Sequence, residues 1–176
     1  MMIYVSGCAG EHEGILRVGG DVYRCALGRA GIVPTKREGD GATPVGQFAL
    51  RELLFRPDRL TPPSTSLPRK AIATDDGWCD AASDPAYNRP VKLPYAASAE
   101  ALWRDDHLYD LIIPLGYNDD PVVAGAGSAI FFHLAKEEEG GRLGATEGCV
   151  ALRLPDMLSV LARLTPETRM EVELAP

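Results

Sequence analysis

Apolar residues along this chain recur mostly at every second position, the spacing that sends alternate side chains to opposite faces of a strand. Ile3-Tyr4-Val5 reads as a first strand, and Ile15–Val18 and Val22–Leu27 flank Gly19-Gly20 as a hairpin closed by a primed turn. From Gln47 the chain is extended again, with Phe48 and Leu50 opposed to Ala49 and Arg51. LYDLIIPL (108–115) predicts a strong strand, and Pro114 places its end at an edge or a bulge because proline offers no ladder donor. SAIFFH (128–133) predicts a short buried strand and RMEVEL (169–174) a half-buried one. Helical spacing is rare. Ser98 is a candidate cap for a short helix through Trp103, and Leu154–Leu164 reads as the main helix. There Pro155 suits the first turn, and Leu154, Leu158, Leu161 and Leu164 fall along one side.

Two stretches break the pattern. Pro34–Gly46 is polar, with glycines and prolines, and reads as a long loop of the kind that often carries function. Residues 56–97 are rich in Pro, Asp and Ser, yet Trp78, Tyr87 and Tyr95 are interspersed, which predicts an ordered, loop-rich insert packed on the sheet. The expected fold is therefore mainly β: a single domain over residues 1–176, a curved sheet or sandwich with one C-terminal helix.

Length and composition keep this picture and narrow the partners. The chain has 176 residues and 45% hydrophobic content, enough for a sizeable core, and no apolar run long enough for a membrane span. The net charge of −7 argues against a nucleic-acid partner, which needs a basic face. Lys36, Arg37, Arg51, Arg56, Arg59, Arg69 and Lys70 all fall in the first half, so a locally positive cleft stays open. The opening MMIYVSGCAGEHEG lacks a basic n-region and is not expected to be a signal peptide.

The candidate chemistry sits between Phe131 and Asp156. His133 ends an apolar run, and Cys149 lies between a glycine and a valine shortly before the main helix. A free thiol is a poor nucleophile at neutral pH and needs an imidazole or a helix N-terminus to favour the thiolate. Gly148 lets the backbone bend so that N–H groups near Cys149 form an oxyanion hole. Cys8, Cys25, Cys79 and Cys149 show no CxxC spacing, and the first three read as small buried hydrophobes. His133 with Glu137–Glu139 makes a poor metal site, with no second histidine nearby, and no cofactor is expected. His12 and His107 read as surface residues, and Trp78, Trp103, Tyr109 and Tyr117 as core, with Tyr117-Asn118 also placed to reach a cleft.

The run from His133 to ATEGCVAL resembles the catalytic signature of the L,D-transpeptidases (the YkuD-like family), in which a histidine is followed, after a loop, by Ser/Thr-His-Gly-Cys. The matching positions are His133, Thr146, Gly148, Cys149 and Val150. A second family segment, a T-P-x-G turn before a strand, is matched by Thr43-Pro44-Val45-Gly46. The chain departs from the pattern at Glu147, where the family usually has histidine, and at Ala151, where Asn or Arg is common. A carboxylate facing the sulfur would disfavour the thiolate, so Glu147 is expected to point aside, paired with Arg142 or Arg153.

The resemblance implies a cysteine acyltransferase of peptidoglycan and cell-wall biogenesis. Cys149 would attack a peptide carbonyl, His133 would act as base with its ring oriented by a backbone carbonyl, and Thr146, Glu147 and Gly148 would line the oxyanion and substrate side. The partner would be a peptidoglycan stem peptide or a muropeptide, with Lys36 and Arg37 either attracting its carboxylates or simply solvated. Compartment is read two ways, cytoplasmic from the first residues and periplasmic from the resemblance. Two other classes remain: a cytosolic thiol amidase or peptidase acting on muropeptides, and a catalytically silent peptide- or glycan-binding module.

Overall fold

The computed structural model describes residues 1–175. The first three strands, β1 (Met2–Gly7), β2 (Glu13–Val18) and β3 (Asp21–Ala26), form an antiparallel meander whose hairpin turns at Gly19-Gly20, as the alternation predicts. Two short strands, β4 (Ile32–Val33) and β5 (Thr43–Pro44), pair in parallel and pinch the base of the expected polar loop. β6 (Gly46–Ala49), β7 (Leu53–Phe55) and β8 (Arg69–Ala71) follow. The insert then builds a separate three-stranded sheet from β9 (Asp76–Cys79), β10 (Pro90–Lys92) and β11 (Ala99–Ala101). β12 (Leu111–Pro114), β13 (Phe131–Leu134), β14 (Val150–Leu152), helix α1 (Leu154–Leu161) and β15 (Arg169–Leu174) complete the chain.

Ten strands join into one large curled sheet, in the order β6-β15-β1-β2-β3-β14-β13-β12-β7-β8. β13 lies deep inside this order, and all four of its residues are buried. Alternation gives its two faces different company. Phe132 and Leu134 join the main core with Val5, Leu16, Val150, Leu152 and the helix residues Met157, Val160 and Leu161. Phe131 faces the other way, into a smaller cluster with Leu54, Ile72, Leu102, Tyr109, Ile112 and Cys149, against which Trp78 of the insert packs. The insert's aromatics thus hold the small sheet on the large one: Trp78 meets Phe131 edge to face at 5.2 Å, and Arg56 stacks over Trp103 at 3.7 Å.

Several expectations need correction. Ser98 caps no helix. Ala99–Ala101 is strand β11, because its backbone completes the small sheet against Gly77, Trp78 and Cys79. Helix α1 stops at Leu161, and its buried side is Met157, Val160 and Leu161; Leu154 and Leu158 are 36% and 40% exposed. Cys8 is exposed, whereas Cys25 and Cys79 are buried. Pro114 stands at a bulge: the register slips by one residue between the Ile112–Leu54 and Leu115–Leu50 pairs. There its carbonyl accepts from the Arg51 N–H at 3.1 Å, while the next N–H, of Leu115, serves the opposite neighbour at Ile130. No helix among the described residues is long and apolar enough to cross a membrane.

Candidate active site

β13 and β14 run parallel, with Phe132 beside Val150 and His133 beside Ala151. Cys149 therefore lies level with Phe131, and the period of two puts Phe131, His133, Cys149 and Ala151 on one face of the sheet. His133 is two residues further along, roughly 7 Å of strand rise. Both side chains open into one cavity of about 440 Å³, with Tyr109, Glu100, Asp80 and Lys36 among its walls.

His133 is 5% exposed, and its Nδ1 lies 2.8 Å from the Leu134 carbonyl oxygen. A carbonyl only accepts, so Nδ1 carries the proton and Nε2 keeps its lone pair. This is the backbone-carbonyl orientation expected from the sequence. Burial pushes the imidazole down to about 4, against the pull of the Leu134 and Leu108 carbonyls. The ring also meets Tyr109 edge to face at 5.2 Å.

The Cys149 sulfur accepts from the Phe131 N–H and donates to the Ala129 carbonyl, each at 3.3 Å. Burial, then the nearby Glu100 carboxylate, push the thiol up to about 12, with the Phe131 N–H and Lys36 working the other way. Thiol and imidazole are thus both neutral at rest.

The turn before Cys149 is fixed by its own side chains. Thr146 Oγ1 donates to the Cys149 carbonyl at 2.7 Å and accepts from the Gly148 N–H at 3.1 Å. Backbone bonds from Arg29 N–H to the Thr146 carbonyl and from Thr146 N–H to the Leu27 carbonyl, each 2.9 Å, stitch this turn to the end of β3. Gly148 has φ +139°, and a Cβ there would lie 2.7 Å from the Ala42 carbonyl, so no other residue fits.

Glu147 is among the residues that line the cavity, and its carboxylate pairs with Arg29, not Arg142 or Arg153; Arg153 is engaged by Glu137 and the Gly141 carbonyl. Its side chain is 80% exposed. Ala151 is fully buried against Ala26 and Leu143. Arg37 is exposed and Lys36 is not. Tyr117 packs on Phe48 at 5.7 Å and donates to the Ala126 carbonyl at 2.5 Å, outside the cavity wall. His107 is on the surface, its side chain 81% exposed. Among the described residues no group of three or more His, Cys, Asp or Glu side chains is placed to hold a metal.

Three features escape the sequence patterns. Tyr109 lines the cavity and donates to Glu100 Oε1 at 2.5 Å, so both belong to the site's wall. Asp80 has a buried Oδ1 with no partner among the described residues. Ala129, whose carbonyl holds the thiol, has φ +52° and is pinned by Asn88. The one local hint is Asn88 itself, at φ +56°, a residue type that tolerates this conformation inside a turn-rich segment.

A family model of the L,D-transpeptidase catalytic domain, YkuD, matches residues 14–172, from β2 into β15. The chain belongs to this family. Its activity is of the L,D-transpeptidase type, acyl transfer on peptidoglycan peptides. The match spans the whole cavity wall, including the insert that carries Asp80 and Glu100. Among curated proteins, none matches the chain.

Proposed function

We propose that this YkuD domain transfers a peptidoglycan stem peptide through a thioester on Cys149, with His133 as the base. The observation that carries the reading is the shared face of β13 and β14, which brings His133 and the buried Cys149 thiol to one cavity. As the donor carbonyl docks, the Cys149 proton moves to His133 Nε2 and the sulfur forms a bond to the carbonyl carbon. The oxyanion faces the Cys149 N–H, because the Gly148 N–H is taken by Thr146 Oγ1. The carbon–nitrogen bond then breaks, and the imidazolium returns its proton to the leaving amine. An acceptor amine gives a proton to His133, attacks the thioester and releases the thiol.

Intact-protein mass spectrometry with a muropeptide stem tests this reading, with a carbapenem as a second acylating probe. The expected result is a covalent adduct on Cys149 that is absent in Cys149→Ser. No adduct with either compound would leave the pocket as a binding module. Adding an amine acceptor separates transfer from hydrolysis: a new amide supports the transferase, and free acid alone supports the amidase.

A further inference from the structure

A buried lysine is the part of this pocket that the acyl-transfer steps leave unused. Lys36 belongs to the polar loop between β4 and β5, yet its side chain is only 3% exposed. Its stem runs through a passage walled by two glycines. A Cβ on Gly127 would lie 2.9 Å from Lys36 Cε and 3.2 Å from Cδ, and a Cβ on Gly148 would lie 3.3 Å from Nζ. Both glycines have positive φ, +111° and +139°. The missing side chains are what give the lysine its path.

The loop around it is anchored at both ends. The Glu38 N–H donates to the Gly125 carbonyl at 2.9 Å, Ser128 Oγ donates to Glu38 Oε2 at 2.7 Å, and Tyr87 donates to the same oxygen. Asp40 accepts from the N–H groups of Arg37 and Ala42 at 2.7 and 2.9 Å. Lys36 Nζ donates to Asp40 Oδ1 at 2.7 Å and, more weakly, to the Arg37 carbonyl at 3.4 Å. An ammonium has three protons, so one direction remains. Burying such a group is costly unless it is paired, and one carboxylate plus one long bond is a lean complement. The ammonium stands against Gly148, the residue before Cys149, and lines the same cavity as the thiol.

We propose that Lys36 is the electrostatic partner of Cys149: it brings a positive charge through the Gly127–Gly148 passage to offset the negative charge that forms on the sulfur. Glu100 and Asp80 of the insert, Tyr109 and Arg104 of the segment before β12, His133 of the large sheet, and Lys136, Glu38 and Glu147 share this cavity. Glu100 opposes a thiolate, and Glu38 and Asp40 temper Lys36 from its own loop. Besides burial, the charges that act on the sulfur in opposite senses are Lys36 and Glu100. This inference rests on Cys149 being the nucleophile, and its test needs no substrate.

The experiment is the rate of alkylation of Cys149 by iodoacetamide at one fixed, neutral pH, read at the level of the Cys149 peptide so that exposed Cys8 does not contribute. Lys36→Met keeps the stem and removes the charge, and the rate is expected to fall about threefold or more. Asp40→Asn keeps Lys36 and removes its counter-charge, and the rate is expected to rise. A structural disturbance alone would not move the two variants in opposite directions. An unchanged rate in folded Lys36→Met overturns the proposal, as do changes of the same sign in both variants. If Lys36→Met does not fold, Asp40→Asn decides: a faster rate supports the role of Lys36, and an unchanged or slower one overturns it. Adduct formation with the stem peptide reports on Cys149 separately, so either idea can fail alone.

Discussion

Asn88 holds Ala129 in a left-handed conformation through a 3.0 Å bond from the Ala129 N–H to Asn88 Oδ1. For a residue with a Cβ this conformation costs about 1–2 kcal/mol and persists only where neighbours enforce it. Asn88 is equipped to do so. Its Oδ1 also accepts from Trp78 Nε1 at 2.9 Å, and its Nδ2 donates to the Tyr117 and Asn118 carbonyls at 3.0 and 2.8 Å. One 3% exposed side chain thus ties the insert, the loop after β12 and the carbonyl that holds the Cys149 thiol.

Asn88→Ala is therefore expected to lose about 3 kcal/mol, since it leaves several buried donors and acceptors without partners. Thermal unfolding should show it as a fall of about 10 °C. The folded fraction should also transfer acyl groups more slowly, because the Ala129 carbonyl no longer orients the thiol. A loss below about 1 kcal/mol would mean that the loop holds itself.

Glu100 lines the same cavity as Lys36 and acts on the sulfur in the opposite sense. It is the second cause, after burial, that holds the Cys149 thiol high. Glu100→Gln keeps the acceptor for the Tyr109 hydroxyl and removes the charge. Alkylation of Cys149 at fixed pH below the midpoint should speed up about threefold, the effect of a half-unit fall. An equal or slower rate would show that Glu100 is screened from the sulfur.

Glu147→Gln should change little. The Glu147–Arg29 pair is largely exposed, 80% at Glu147 and 49% at Arg29, and such pairs contribute between zero and about 1 kcal/mol. The carboxylate lines the cavity but is well exposed and paired with Arg29, so neither the rate of Cys149 alkylation nor the yield of adduct should move. A changed rate would show that Glu147 acts on the sulfur despite its exposure.

The meander, β12, β13 and β15 were legible because each is a run of alternating or continuous apolar residues between turn signals. His133 and Cys149 were legible because their motif is local, and Gly148 because a sharp bend needs it. What escaped was set by tertiary packing. Leu154 and Leu158 satisfy a helical stripe as well as Met157 and Val160 do, and only the position of the sheet beneath α1 decides which side is buried. Ala99–Ala101 has no strand pattern of its own and becomes β11 because Gly77–Cys79 offers an open edge. Glu147 has three arginines to choose from, and the nearest in space, Arg29, is the most distant in sequence. Lys36 and Glu100 reach the cavity, and Asn88 reaches the Ala129 backbone beside it, from segments whose patterns name no particular contact.

The neutral, buried His133 also makes a prediction about stability. Its pKa is about 4 in the folded protein against 6.5 for an ordinary histidine. Above pH 6.5 neither state carries the proton, and the group has no effect. As pH falls from 6.5 toward 4, the unfolded chain takes up a proton that the folded chain refuses, so stability falls by about 1.4 kcal/mol per unit, roughly 3 kcal/mol over the window. Below that both states are protonated and the loss stops growing. Asp40, Asp76 and Glu13, held below the usual carboxylate range, have the same sign but act in more acidic solution, as pH falls below about 4.5. Denaturant unfolding of wild type and His133→Gln at several pH values isolates the histidine. The variant should be the less pH-sensitive of the two between 6.5 and 4.5, and parallel curves there would mean that His133 takes up its proton in the folded state.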